Sequence, residues 1–485
     1  MSACLPAGRA RGQGVFENII QQSAAGILAA DIQNGVFPPS ALFCGPPASG
    51  KATAAIETAR VISCAKTAAW TCTCPSCAAH KELCSRDVLI IGPRPFSAEI
   101  LACAEAFLRD YKTPSAKTLF LRSIRKLLLR FSPIVREGDN DASKYNTVLE
   151  SLTDILDQFN AVYAAIQRDD EEDGGDDDEA DEVCAAPPAA LKKITDRAVA
   201  EALKLEAAGI SDVIPAAHIR RLSYWLRLAP EGARKTVIIE NADRMKDEAR
   251  NSLLKTIEEP PPHAQIILCS ARPRALLPTI LSRLRPYSFT RRTADAEADI
   301  IRRVFRDSAA AQAATAAQNS CRISAYLDSF LPVPKEKLRP LAAWFLTALA
   351  FQAARAHQRA GIDGEGGGGI PAELRAIGTA CAACAAEFDG GGESREWAFV
   401  CTEIARAAGG FKTRSLFSDF VEALTTLVSA ALKTSPVRPR YARAIYEAMR
   451  RRCAYAVTAV TVFNQSAPLV LEKLFLDMQS DMEAL

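Results

Sequence analysis

The chain has 485 residues, of which 49% are hydrophobic and 24% charged, and its formal net charge is +2. This composition is ordinary for a folded protein, and the length indicates roughly three domains. No run of about 18 apolar residues occurs, so we predict no membrane-spanning helix and no membrane partner. The first residues lack the apolar core of a secretory signal, and 15 cysteines without such a signal indicate thiols or metal ligands, so we expect a cytoplasmic protein.

In the first part of the chain, helices and buried strands are predicted to alternate. Residues 15–35 show the apolar spacing of a helix, and residues 41–44 form a short apolar run that ends at a glycine, which is typical of a buried strand. A helix over residues 51–63 and a second buried strand over residues 88–92 follow.

A long insertion interrupts this alternation at residues 95–205. Its helix over residues 119–131 carries Arg122, Arg125, Lys126 and Arg130 among leucines. We favour a solvated basic face on a packed helix over the alternative, a DNA-binding helix.

The insertion also contains an acidic run. Residues 169–182 hold 11 acidic side chains, and without them 59 basic residues face 46 acidic ones, a balance of +13. The run is too charged to bury and predicts a disordered linker; a regulatory or DNA-mimicking role is the alternative. The basic remainder is compatible with DNA contact, although many ordinary surfaces are basic.

The alternation resumes after the insertion, with strands predicted at residues 236–241 and 264–270 and a helix between them at residues 246–257. Continuous apolar strands separated by helices indicate an α/β fold with a parallel sheet covered on both faces. From about residue 295 the pattern is helical to the end, with predicted loops at the glycine-rich residues 364–369 and 390–392.

The stretch FCGPPASGKAT at residues 43–53 has the pattern of a phosphate-binding loop. Its glycines have the spacing that lets backbone N–H groups converge on an anion between a strand and a helix, and its lysine can reach the terminal phosphates. The residue after the lysine normally supplies a hydroxyl to Mg²⁺, but here it is an alanine, and the next threonine is rotated by about 100° around the helix. We therefore expect phosphate binding with impaired metal placement. The candidate nucleotide-binding residues are Gly45, Ser49, Gly50, Lys51, Ala52 and Thr53.

A second element of the same predicted site follows the strand at residues 236–241. A phosphate-loop ATPase needs acidic residues there, one for Mg²⁺ and one to polarise the attacking water. Glu240 keeps a carboxylate but is one methylene longer than aspartate, Asn241 cannot act as a base, and Asp243 lies two residues farther on. We expect little or no intrinsic ATP hydrolysis.

Four cysteines, Cys64, Cys72, Cys74 and Cys77, lie within 14 residues, and the last pair flanks a turn-forming Pro-Ser. This spacing predicts one structural zinc site with four protein ligands. Because Cys72 and Cys74 are closer than the usual two-residue gap, Cys84 or His80 could replace one of them.

In their order along the chain, GPPASGK, the cysteine cluster, VIIENADRM, NSLLKTIEEPPPHAQIILCS and LLPTILSRL resemble the AAA+ clamp-loader subunits of bacterial DNA polymerase III, called delta-prime and gamma/tau. The resemblance covers about residues 15–92 and 215–295. It implies a five-subunit ring that opens the sliding clamp and loads it on primed DNA, so the expected partners are other clamp-loader subunits, primed DNA and, indirectly, the clamp.

The resemblance also implies roles for single residues. Arg283, in Ser-Arg-Leu rather than Ser-Arg-Cys, corresponds to an arginine finger that reaches a neighbour's ATP; a plain surface arginine is the alternative. Ser270 corresponds to the residue that senses the γ-phosphate, or is a simple strand-end serine. The departures at Ala52, Glu240 and Asn241 favour a delta-prime-like subunit with bound ATP or ADP and little hydrolysis. The alternatives are a gamma/tau-like ATPase and a free-standing DNA-binding protein.

The resemblance and the patterns together divide the chain. The expected parts are a first AAA+ half with the zinc module (1–94), the insertion (95–205), the second AAA+ half (206–293), a helical lid (294–334) and a helical collar (335–485).

Overall fold

The computed structural model describes residues 15–139, 142–172, 187–211, 213–316, 322–331, 335–359, 370–385, 413–434, 439–461, 463 and 465–484. The chain divides into two compact units, Met1–Phe330 and Leu331–Leu485. Residues 173–182 of the acidic run and both glycine-rich segments lie outside the described residues. Among the helices that the structure describes, none combines the length and apolar character needed to cross a bilayer.

A five-stranded parallel sheet with the order β2-β3-β4-β1-β5 forms the centre of the first unit. Its strands are β1 (Ser40–Cys44), β2 (Val88–Ile91), β3 (Lys235–Ile239), β4 (Ala264–Ser270) and β5 (Arg285–Ser288). Helices cover both faces, which explains why β2, β3 and β4 are buried throughout. The predicted parallel sheet is confirmed, and β5 was not predicted.

The helices of the first unit are α1 (Ser23–Gln33), α2 (Lys51–Ser63), α3 (Pro75–Lys81), α4 (Ser97–Arg109), α5 (Pro114–Leu128), α6 (Pro133–Arg136), α7 (Ala142–Glu172), α8 (Ala189–Gly209), α9 (Ala216–Trp225), α10 (Asp247–Glu258), α11 (Pro278–Leu281), α12 (Ala294–Val304), α13 (Ser308–Ala316) and α14 (Arg322–Ser329). Three 3-10 turns lie among the described residues of this unit, and the one that matters for the site is Leu129–Phe131. The first predicted helix begins later than expected, at Ser23, because Phe16 and Gln21 adopt positive φ angles of 66° and 49° that interrupt a helix.

The insertion between β2 and β3 is helical and has a core of its own. Phe107, Phe120 and Phe159 pack against one another with ring centroids 5.4–5.7 Å apart. The buried carboxylate of Glu206, near the end of α8, accepts hydrogen bonds from the backbone N–H of Phe96 and the hydroxyl of Ser97 at the start of α4. The entrance and the exit of the insertion are therefore joined.

The second unit is helical, as predicted. Its helices are α15 (Lys335–Arg359), α16 (Ile370–Ala385), α17 (Thr413–Thr434), α18 (Pro439–Thr461) and α19 (Ala467–Glu483). Phe345 contacts Phe420 and Phe475 edge-on at the centre of the core of this unit.

Candidate functional site

The phosphate-loop sequence forms the connection between β1 and α2. Gly50 immediately precedes α2 with a φ of +91°, and a Cβ at Gly45 would lie 2.2 Å from the carbonyl oxygen of Phe289. Both positions therefore require glycine. The loop lies at the carboxyl end of β1, and the N-terminus of a 13-residue helix faces it, which is the arrangement that binds phosphate groups.

The Lys51 side chain is turned onto the carbonyl oxygens of its own loop. Its Nζ donates to Gly45 O at 2.7 Å, to Pro46 O, and to Ser49 Oγ at 3.3 Å. Burial lowers the pKa of Lys51, and the neighbouring Cys269, Cys44, Glu240 and Asp243 oppose that shift. Of the two residues that follow, Ala52 is partly buried and Thr53 is exposed.

Arg292, which sequence reasoning missed, also contacts the loop. Its Nη1 donates to Ala48 O at 2.6 Å, and its Nε donates to Ile20 O at 3.2 Å. A Cβ at Gly50 would lie 2.5 Å from Nη2 of this guanidinium. The arginine is four residues beyond β5, and no motif of the sequence marks its position.

Glu240, directly after β3, is buried in an ion-pair network. Its Oε2 lies 2.8 Å from Nη2 of Arg130 and its Oε1 lies 3.6 Å from Nη1 of Arg94. Burial alone would raise the pKa of Glu240, but the charges of Arg130, Arg94 and Lys126 outweigh it and hold the pKa below its ordinary value. The carboxylate is therefore ionised and already paired.

The partners of Glu240 come from the segment between β2 and β3, Arg130 from the insertion and Arg94 from the residue just before it. Arg94 precedes α4, and Arg130 lies in the 3-10 turn after α5. Arg94 and Lys126 both contact the carboxylate of Glu99.

The contacts of the basic side chains on α5 correct the expectation that this helix has a solvated basic face. Arg122 donates to the carbonyl of Lys81 and Arg125 to that of Glu82, so the basic side chains of α5 pack on the core and on the cysteine module instead of facing water.

Asn241, the residue after Glu240, has a structural role. It adopts a left-handed backbone conformation with φ +49°, and its side-chain Nδ2 donates to Pro93 O at 2.7 Å. A Cβ at Gly92 would lie 2.0 Å from Glu240 O, so the ends of β2 and β3 approach closely. The amide thus joins two strand ends.

Ser270 ends β4 beside Cys44 of β1, next to the phosphate loop. Its hydroxyl donates to Oδ1 of Asp243 at 2.8 Å, and Arg272 donates to Oδ2 at 2.9 Å and 3.2 Å. In the sequence, Asp243 lies two residues beyond the position expected for a catalytic carboxylate. In the structure, its carboxylate accepts the hydrogen bonds of Ser270 and Arg272.

The four predicted cysteines form one buried cluster. The Sγ atoms of Cys64, Cys72, Cys74 and Cys77 all lie within 4.8 Å of one another. The backbone N–H groups of Lys66 and Ala68 donate to Cys64 Sγ at 3.3 Å, as they would to a thiolate.

Hydrogen-bond donors surround the sulfur atoms of this cluster. The buried Arg60 guanidinium, which is paired with Glu57 at 2.6 Å, also donates to Cys77 Sγ at 3.0 Å. The backbone N–H of Cys74 is the main cause that lowers the pKa of Cys72 to about 6, whereas burial raises the pKa of Cys64 and that of Cys77. Four cysteine sulfur atoms this close together, with donors around them, fit a tetrahedral Zn²⁺.

The two alternative ligands lie apart from this cluster. Cys84 is exposed, and its thiol donates to Glu82 O at 3.6 Å. His80 is buried and is hydrogen bonded through Nδ1 to Ser76 O at 2.7 Å. Its Nε2 has no hydrogen-bond partner among the described residues, but the group of mutually close ligand atoms contains only the four cysteine sulfurs. The cluster therefore consists of the four cysteines that the spacing predicted.

Arg283 follows α11 and is half exposed. Its Nη1 donates to Thr279 O at 2.8 Å, and its Nη2 lies 2.9 Å from a carboxylate oxygen of Glu258, which is also half exposed. Leu284, which follows Arg283, is buried.

Residues 172–293 match the family described as "DNA polymerase III, delta subunit". Similar curated proteins are the DNA polymerase III subunit tau of Bacillus subtilis (34% identity over 109 residues) and subunit delta' of Pseudomonas aeruginosa (42% over 62 residues). These alignments cover 22% and 13% of this chain, and 19% of each relative.

Among solved structures, a DNA polymerase III gamma subunit-related protein of Thermotoga maritima aligns over 59% of this chain and 90% of its own, with 19% identity and a TM-score of 0.26. The family match and the curated relatives confirm the resemblance of this chain to bacterial DNA polymerase III clamp-loader subunits.

Proposed function

We propose that this chain is a clamp-loader subunit of DNA polymerase III in the delta-prime role. It contributes Arg283 to the ATP site of a neighbouring subunit while its own site hydrolyses little or no ATP. The match over residues 172–293 and the tau and delta' relatives support the clamp-loader assignment.

The observation that supports the delta-prime role concerns Glu240 and Asn241, the two positions where an ATPase has its catalytic acidic residues. Both side chains are already bonded to other parts of this protein. Glu240 is paired with Arg130 and Arg94, and the Asn241 amide is hydrogen bonded to Pro93 O. A hydrolytic site needs a carboxylate for Mg²⁺ and a group that polarises water, and both must be available to ligands.

Arg283 contrasts with these residues. Its guanidinium is 40% exposed, and its partner Glu258 is 44% exposed. An exposed ion pair is worth about 0–1 kcal/mol, so Arg283 can exchange this partner for a phosphate on another subunit at low cost.

The remaining parts of the molecule take supporting roles in this proposal. The parallel sheet with the phosphate loop is the AAA+ core, residues 294–334 are the lid, and residues 335–485 are the collar that joins the subunits of the ring. The cysteine cluster holds a structural Zn²⁺, and the partners are the other subunits, primed DNA and, through the assembly, the clamp. The protein acts in the cytoplasm.

The alignment with a tau subunit favours a second candidate, an ATPase motor subunit of the same assembly. Reconstitution with the clamp, the partner subunits and primed DNA distinguishes the two. The variants are Arg283→Ala and Lys51→Ala, with Arg302→Ala as a control, because Arg302 is an exposed arginine paired only locally with Asp299.

We expect Arg283→Ala to reduce the ATPase of the assembly severely, by up to about 10³-fold if the site it serves limits the rate. Lys51→Ala and Arg302→Ala should change the rate little. If Lys51→Ala abolishes the ATPase and Arg283→Ala leaves it intact, the chain is the motor.

A further inference from the structure

Charged side chains are concentrated beside the phosphate loop. Lys51, Arg94, Lys126 and Arg130 lie near three carboxylates, Glu99, Glu240 and Asp243, and burial lowers the pKa of Lys126 to about 7. Burial raises the pKa of the Cys269 thiol on β4, and Glu240, Lys51, Arg130 and Arg94 are all close enough to contribute to that pKa.

Arg130 has hydrogen-bonding capacity that the protein does not use. Its side chain is buried, and only Nη2 contacts Glu240, while Nε and Nη1 are buried without a hydrogen-bond partner. Burying a donor without a partner is unfavourable, so such donors are uncommon unless a ligand uses them. Guanidinium N–H groups are well suited to phosphate oxygens.

The location of Arg130 suggests what it replaces. In a phosphate-loop ATPase the carboxylate after this strand holds Mg²⁺ beside the phosphates. Here a guanidinium lies against that carboxylate at 2.8 Å, and Ala52 offers no hydroxyl to a metal. A divalent cation bound to Glu240 would be repelled by the positive charge of Arg130.

We propose that Arg130 takes the place of the divalent cation, so that the loop at Lys51 binds a nucleoside di- or triphosphate without metal. The inference rests on the proposed function, which assigns the phosphate loop to an AAA+ core, and it names the form of nucleotide that this loop binds. The lysine and the helix N-terminus bind the phosphates, and Arg130 supplies the positive charge that Mg²⁺ supplies elsewhere. The carboxylate of Glu240 then positions the Arg130 guanidinium, whereas in an ATPase the corresponding carboxylate positions the metal ion.

The test measures binding of the fluorescent nucleotide mant-ATP to the full chain, in excess EDTA and in excess MgCl₂. We expect the same affinity in both for the unsubstituted protein. Arg130→Gln should weaken binding in EDTA by about tenfold or more, since it removes charged donors. The matched control is Arg125→Gln, because Arg125 lies in α5, just before the turn that contains Arg130, but contacts Glu82; the affinity of this variant should not change.

Arg130→Gln leaves Glu240 without its closest partner, so Arg130→Gln with Glu240→Gln provides a neutral pair in case the single variant does not fold. The double variant should show the same loss of affinity in EDTA. The inference is overturned if Mg²⁺ strengthens binding to the unsubstituted protein tenfold or more, if neither variant weakens binding, or if mant-ATP does not bind in either condition. None of these outcomes changes the delta-prime role of Arg283, because the Arg283→Ala assay reads the ATP site of another subunit.

Discussion

Replacing Arg130 with methionine tests whether the buried pair with Glu240 supports the fold. The two charged atoms are 2.8 Å apart, and both side chains are at most 5% exposed. At an effective dielectric constant of about 20, this separation corresponds to a gross attraction of about 6 kcal/mol. The gain is offset by the cost of burying the guanidinium, and breaking such pairs usually costs about 3–5 kcal/mol.

We expect the lower end of that range for Arg130→Met. Arg94 remains 3.6 Å from the other carboxylate oxygen and still compensates part of the charge. The expected loss is therefore about 3 kcal/mol in the free energy of opening of the sheet. The double variant Arg130→Met with Glu240→Gln should lie within about 1 kcal/mol of the unsubstituted protein, because no charge is left uncompensated.

Hydrogen exchange of the β3 amides at increasing urea measures this free energy locally, which suits a chain with two compact units. A loss below about 1 kcal/mol in the single variant would show that Glu240 finds solvent or another partner. A double variant as unstable as the single one would also refute the reasoning, since packing and not charge would then explain the loss.

Two further changes test other features. Cys77→Ser should lower the zinc content of the purified protein and expose α3 to proteolysis, whereas Cys84→Ser, which changes an exposed thiol outside the cluster, should leave both unchanged; an unaltered zinc content in Cys77→Ser contradicts the ligand set. Gly92→Ala should lower the melting temperature and reduce the free energy of unfolding by more than about 1 kcal/mol. The reason is that the residue has a φ of +112° and that an alanine Cβ would lie 2.0 Å from Glu240 O. A melting temperature equal to that of the unsubstituted protein would mean that the ends of β2 and β3 can separate.

Much of the sheet could be predicted because its strands are continuous apolar runs with clear ends. The predicted bounds of α2 and β4 agree with the structure, and the prediction for β1 differs by one residue. The edge strand β5 escaped prediction because only Tyr287 among its four residues is buried, so it has no apolar run.

The candidate sites were predictable to different degrees. The cysteine cluster is encoded by local spacing, because its four ligands lie close together in the chain, from the end of α2 to the first turn of α3. The surroundings of Glu240 depend on a contact between distant parts of the chain. Helical periodicity shows that Arg122, Arg125 and Lys126 share one region of α5, but it cannot show that this region faces protein and not water.

The joined ends of the insertion, where Glu206 caps the start of α4, suggest a module that could be removed and replaced by a short linker. The ion pair between Arg130 and Glu240 argues against that view. Excision would remove the counter-charge of a carboxylate that belongs to the remaining sheet, so a shortened protein should need Glu240 neutralised at the same time. A chain that acquired this insertion and then came to depend on it could not easily lose it again by a single deletion.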